Sequence, residues 1–163
     1  ESDILQDGSL DYPDEVLERL DYVVASVHSS FSMSRKDQTA RIEKALRHPC
    51  TTVWGHPTGR LLLQRDGYEI DRDHLLKVAA EEGVIVELNA HPRRLDVDWR
   101  WGRRIQELGL DVGIHPDAHS THGLKDVQYG VMAARKMGLS STQITNCMER
   151  DEYLERIKRC HQS

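Results

Sequence analysis

Residues 110–122 read Leu-Asp-Val-Gly-Ile-His-Pro-Asp-Ala-His-Ser-Thr-His, a short apolar run that opens into four groups able to hold a metal: His115, Asp117, His119 and His122. Imidazole and carboxylate without thiolate suit Zn²⁺, Mn²⁺ or Fe²⁺. Asp117 and His119 stand two residues apart, so in an extended segment both side chains leave on one side and can reach one centre. The same arrangement recurs upstream. The apolar run 22–27 ends at His28, the run 50–54 at Gly55-His56-Pro57, and the run 84–88 at Asn89-Ala90-His91-Pro92. A single histidine after a strand is usually an ordinary hydrogen-bonding residue. A series of them after parallel strands gathers on one rim, where α/β enzymes keep their chemistry. Two or more metals held there could clamp both oxygens of a phosphoryl displacement.

The other histidines read differently. His48 precedes a strand, at the opposite rim, and reads as structural, whereas His74 and His161 read as surface residues. His115 lies on the strand itself and either packs or supports a ligand. His122 caps the next helix or lines the mouth, and His91 stands at the rim or points away from it.

The elements that must position these groups follow from periodicity. Residues 1–10 read as the tail of a strand and a turn at Asp7-Gly8, and Pro13 opens a short helix with Val16, Leu17 and Leu20 on one stripe. Ser34 and Asp37 resemble a capping box before a helix to about residue 47. Asp71 caps a helix through Glu82 with Leu75, Val78 and Ala79 inward, and Gly83 stops it. Asp96 is expected to start a helix on which Val97, Trp101, Ile105 and Leu108 share a face, ending at Gly109. Val127, Val131 and Ala134 mark another, and helical segments over 141–148 and 151–161 close the chain. Strand, loop and helix recur at intervals of 26 to 35 residues, counted between His28, His56, His91 and Asp117. That pitch means βα units and a parallel sheet, and continuous apolar strands suit a sheet buried on both faces. About five units are present, against the seven or eight units and roughly 200 residues of a closed barrel. The expectation is an α/β fold, an incomplete barrel or an open sheet, forming one domain over residues 1–163.

Charge narrows the function. The net charge of −5 argues against a passive nucleic-acid binder, which needs a basic face. It leaves open an enzyme whose clustered acids and histidines hold cations that in turn meet phosphate. Arg93, Arg94, Arg100, Arg103 and Arg104 form a local basic cluster, the last three reading as a solvated helix face. No run of about eighteen apolar residues predicts a membrane span, and the opening residues do not resemble a secretory signal. Cys50, Cys147 and Cys160 are scattered and odd in number, so neither a disulfide framework nor a zinc ribbon is expected, and a reducing cytoplasm is the simplest setting.

Taken together the motifs resemble a known family. Asp21-Tyr22-Val23-Val24-Ala25-Ser26-Val27-His28-Ser29, Gly55-His56-Pro57-Thr58-Gly59-Arg60-Leu61-Leu62, Glu87-Leu88-Asn89-Ala90, Arg94-Leu95-Asp96 and Asp117-Ala118-His119-Ser120 are similar, in order, to motifs of the PHP (polymerase and histidinol phosphatase) superfamily. With Asp3-Ile4-Leu5 and Asp7-Gly8-Ser9-Leu10-Asp11-Tyr12, the chain resembles in particular the C-terminal PHP domain of bacterial family X DNA polymerases, along essentially its whole length. The resemblance implies a distorted (β/α)7 TIM-like barrel with up to three divalent metals, Mn²⁺ or Zn²⁺ or else Fe²⁺, at its C-terminal rim. By the same resemblance Glu1 is a bridging carboxylate, His28 and His56 bind the metal it shares, Asp117 binds a first metal, and His119 binds a third. These five residues would form the catalytic centre, with Arg60, Asn89 and Arg94 as rim residues contacting phosphate. The family's opening His-x-His motif and its next two histidines would lie before residue 1. On that expectation the chain is a PHP domain lacking its first strands, fewer metals are held, and only the Glu1, His28 and His56 site keeps its full set of protein ligands. Two features depart from the family pattern: Gly113-Ile114-His115-Pro116 stands where relatives carry a more Ser/Thr-rich approach to Asp117, and His91 replaces a smaller or amide residue.

The implied activity is metal-dependent hydrolysis of DNA phosphodiesters, as 3′→5′ exonuclease and in DNA repair, beside the polymerase domain of a parent chain, with single-stranded DNA or 3′ ends as substrate and no membrane partner. Two alternatives stand beside it. One is a phosphomonoesterase of the histidinol phosphatase type. The other is a catalytically silent scaffold that contacts a polymerase or DNA.

Overall fold

The computed structural model describes residues 1–158. Five strands, β1 (Ser2–Asp3), β2 (Val23–Ser26), β3 (Thr51–Trp54), β4 (Ile85–Asn89) and β5 (Val112–His115), form one parallel sheet in the order β1-β2-β3-β4-β5. Each strand lies beside its predecessor in sequence. A doubly wound open sheet reverses direction at a switch point. Here no reversal occurs, so the winding is that of a barrel wall that does not close, compatible with a partial TIM-like barrel.

Six helices connect or follow the strands: α1 (Asp14–Leu17), α2 (Arg35–Leu46), α3 (Arg72–Glu81), α4 (Gly102–Glu107), α5 (Val127–Met137) and α6 (Arg150–Ile157). Two of the caps are those expected from the sequence, at Ser34 and Asp71. Ser34 Oγ accepts from the Asp37 amide, Asp71 accepts from the His74 amide, and α5 stops at Gly138 with φ of +76°. Ile42, Leu46, Leu75, Leu76, Ala79 and Ile105 are fully buried from the helix side, against Val23, Ala25, Trp54, Val86 and Leu88 of the strands.

Because strand side chains alternate between faces, the remaining strand residues form the inner face. Pairing places Val24 beside Val53 and Val53 beside Ile85, an apolar layer that Ile157 of α6 packs against. Two residues on, Ser26, Gly55 and Glu87 form the next layer, with Gly113 paired to Glu87, and Asn89 pairs with His115 above it. The inner face therefore changes from apolar to polar toward the C-terminal ends of the strands. Arg156 ties α6 down by donating to the Asp111 carboxylate and to the Gly83 carbonyl.

Three expectations need correction. Asp96 does not start a helix. It forms a bridge with Asn89, its carboxylate is buried and accepts from the Thr58 amide, and the Asp96–Val97 peptide is cis. The cap belongs to Asp98, which accepts from the Arg100 amide and starts a 3-10 turn (Trp99–Trp101) leading into α4. The segment 141–148 is two 3-10 turns, Ser141–Gln143 and Thr145–Cys147, with Ile144 bridging in parallel to Val112. Cys50 is disulfide-bonded while Cys147 is a free, exposed thiol. The expectation of unpaired cysteines fails because spacing along the chain does not report which thiols the fold brings together. The last residues of the helix expected over 151–161, and His161, lie outside the described residues. No described helix is long and apolar enough to cross a membrane.

Candidate metal centre

Glu1 and Asp3 flank Ser2, which pairs with Ala25, so both fall on the inner face beside Val24 and Ser26. His28 and His56 each stand two residues beyond the end of their strands and share that face. Gly55 makes room for this. A Cβ there would lie 2.1 Å from Ser26 Oγ and 2.8 Å from Val24 Cγ1. His56 then turns inward with a φ of +24°, a backbone conformation costing about 1–3 kcal/mol outside glycine.

Three ligand atoms converge. Glu1 Oε1 lies 3.5 Å from His28 Nε2 and 3.4 Å from His56 Nε2, and the two Nε2 atoms are 3.1 Å apart. Ligands about 2.0–2.1 Å from a tetrahedral Zn²⁺ sit about 3.3 Å from one another, so these separations are those of one face of a coordination polyhedron. His28 Nδ1 donates to Asp3 Oδ1 at 2.6 Å, which fixes the tautomer that leaves Nε2 a lone pair. His56 Nδ1 is buried without a hydrogen-bond partner. The donor set and its spacing fit a divalent cation, and among the described residues this is the one group of three or more such side chains whose ligand atoms converge.

The electrostatics agree. The hydrogen bond to His56, helped by Ser26 and the charges of His28 and His56, holds the Glu1 carboxyl down at about 2 against the opposing effect of burial. Burial works against protonation of His56, but its bond to Glu1 and the charges of Glu87 and Glu1 outweigh that and raise its pKa.

Below the three ligands lies Glu87, which the sequence places in a motif without giving it a role. Its buried carboxylate accepts from the His56 amide at 2.6 Å and from Asn89 Nδ2 at 3.2 Å on one oxygen, and from His115 Nδ1 at 3.0 Å on the other. The signal for it was the spacing Glu87-x-Asn89, which puts both groups on one face of a strand. Glu1, His56, Glu87, Asn89, His115 and Asp117 line a cleft of about 280 Å³.

Asp117 and His119 stand outside the convergent group of three. Asp117, at a φ of +51°, accepts from Asn89 Nδ2 at 3.1 Å and forms an ion pair with Arg94, Nε to Oδ2 at 3.2 Å. The His119 side chain is 85% exposed, and its Nδ1 donates to the Asp117 carbonyl at 2.8 Å. Both line a second, outer cleft of about 480 Å³ with His91, Arg93, Arg94 and His122. Asn89 is buried, with both amide hydrogens committed to Glu87 and Asp117 and its oxygen to the His91 amide. Arg60 is equally committed, to Asp98 and to the carbonyls of Arg94 and Leu95. Arg94 uses only Nε, toward Asp117, leaving its Nη atoms without a hydrogen-bond partner. His48 bonds the Cys50 amide and Asp14, and His74 bonds Glu43, both away from the centre.

No family model matches the chain. It is 42% identical over 146 residues to the DNA polymerase/3'-5' exonuclease PolX of Bacillus subtilis (strain 168), an alignment covering 90% of this chain and 26% of that protein. It is 26% identical over 168 residues to a probable phosphatase of Thermoanaerobacter sp. (strain X514), covering 94% of this chain and 65% of that one. A probable phosphatase of Caldicellulosiruptor saccharolyticus is 34% identical over 85 residues, 51% of this chain and 33% of the relative. The chain thus spans about a quarter of the polymerase's length and just under two thirds of the first phosphatase's.

Proposed function

Taking this chain as a member of the PHP superfamily, similar to the family X polymerases, we propose that it is a metal-dependent phosphoesterase domain that hydrolyses DNA phosphodiesters from the 3′ end, acting in DNA repair beside a polymerase domain and in the cytoplasm. The observation that carries the reading is the convergence of Glu1, His28 and His56 at the spacing of ligands around one cation. Glu1, His28 and His56 would hold Mn²⁺ or Zn²⁺, which would supply charge stabilisation to the phosphoryl group and lower the pKa of water.

The chain's own groups do the rest. Asp3 holds the His28 ring and Glu87 holds the His56 backbone, so both Nε2 atoms already face the point where a cation would bind. Asp117 and His119 are proposed as ligands of further cations on the outer side of the cleft. Arg94, which lines the outer cleft and whose Nη atoms have no hydrogen-bond partner among the described residues, is proposed to hold a phosphate oxygen, a role its fixed donor fork suits. Arg60 and Asn89 are assigned supporting roles, because their donors are already committed: Arg60 braces the backbone that carries Arg94, and Asn89 braces Asp117.

Hydrolysis of single-stranded DNA compared with that of a small phosphate monoester, each with Mn²⁺, tests this. Mn²⁺-stimulated release of nucleotides that disappears in Asp117→Asn and His119→Ala variants is expected. Turnover of the monoester alone would favour a phosphomonoesterase of the histidinol phosphatase type. Activity unchanged in both variants would remove Asp117 and His119 from the site.

A further inference from the structure

We propose that His115 is a positioning residue for the metal centre, acting through Glu87 on the backbone of His56; the proposal rests on the metal reading of Glu1, His28 and His56. Two side chains and one backbone amide, on or just past three neighbouring strands, form one chain of contacts. His115 at the end of β5 donates from Nδ1 to Glu87 Oε1 at 3.0 Å, and Glu87 on β4 accepts the amide of His56, just past β3, at 2.6 Å on its other oxygen. Glu87 is buried, and among the described residues no lysine or arginine bonds it, so its orientation depends on the donors that reach it. Among the described residues His115 supplies the sole donor to Oε1. A carboxylate is flat, so a donor fixed on one oxygen restricts rotation of the group and aims the other oxygen at its own donors.

What Glu87 holds is a residue that needs holding. His56 sits at positive φ, and its ring supplies a ligand atom to the centre. Releasing the Glu87 bond frees the backbone to relax toward an ordinary conformation, which turns the imidazole away from Glu1 and His28. The fold makes room for His115 specifically. Gly113 lies two residues before it on the same face, and a Cβ there would come within 2.8 Å of both Cε1 and Nε2 of the His115 ring. The glycine is what lets the ring lie back along β5 and reach Glu87.

The donor at Nδ1 can be replaced by an asparagine amide, whose nitrogen stands at the same distance from the backbone. The test therefore uses His115→Ala, His115→Asn and Gly113→Ala, with two readouts. One is hydrogen-exchange protection of the His56 amide in the metal-free chain. The other is affinity for Mn²⁺ by calorimetry, alongside thermal melting in chelator. His115→Ala and Gly113→Ala are expected to lower His56 protection and to weaken Mn²⁺ about 10–100-fold, as loss of a ligand's supporting partner does. His115→Asn is expected to restore both, at unchanged melting temperature. His56 protection equal in His115→Ala and the wild type would overturn the proposal, as would an asparagine variant no better than alanine. A wild-type chain that binds no Mn²⁺ would overturn the metal role assigned to the contact, while the His56 amide would still report separately whether His115 positions that residue.

Discussion

Asp3 accepts the Nδ1 proton of His28 at 2.6 Å, and Asp3 stands two residues after Glu1, which precedes the short strand β1 on the same face. One dipeptide step thus supplies both a ligand and the group that orients a neighbouring ligand. Because the Asp3 carboxylate accepts, it fixes His28 as the Nδ1–H tautomer and leaves the Nε2 lone pair facing Glu1 and His56. Asp3→Asn is expected to weaken divalent-cation binding about 10–100-fold with little change in melting temperature, measured by Mn²⁺ titration against the wild type. Equal affinities would mean that His28 keeps its tautomer without Asp3.

Arg94 and Arg60 separate contact from support. Arg94→Ala is expected to raise KM for single-stranded DNA about 10-fold or more, the loss of a charged hydrogen bond, while melting stays unchanged. Arg60→Ala removes the donors to Asp98 and to the Arg94 and Leu95 carbonyls, so it is expected to lower the melting temperature as well as the rate. Steady-state kinetics and melting curves on both variants check this. A KM effect confined to Arg60→Ala would reverse the assignment.

The βα repeat and four of the five proposed ligands were legible in the residues themselves, because apolar runs ending in histidine or Asp-x-His are local patterns. Glu1 was not; only family resemblance pointed to it, since a terminal glutamate has no upstream pattern. Glu87 was quoted within a motif, but its role depends on the His56 amide and the His115 ring, which lie 31 and 28 residues away in sequence. Arg60 illustrates the opposite limit. Its type and position suit phosphate, and only the fold reveals that Asp98 and two carbonyls already occupy it. Asp96 read as a helix cap because Asp before an amphipathic stretch usually is one, yet burial against Thr58 claimed its carboxylate.

The Arg60–Asp98 pair also sets a pH dependence. Burial opposes ionisation of Asp98, but the Arg100 amide and Arg60 outweigh it and hold its carboxyl below the ordinary value. A carboxyl depressed in the folded state stabilises the fold above its unfolded pKa of about 3.9, and that contribution is lost as pH falls through the folded value. Asp98→Asn is therefore expected to be less stable than the wild type by a constant margin above about pH 5, with the margin shrinking below about pH 4. Denaturant unfolding across that range measures it. A margin independent of pH would show that the charge on Asp98 is not what matters.

The central claim is that Glu1, His28 and His56 hold a divalent cation, and the most direct measurement is elemental analysis of the chain purified without chelator or added metal, beside His56→Ala. The account predicts about one Mn, Zn or Fe per chain in the wild type and none in the variant. No metal in the wild type, or equal metal in both, would contradict it.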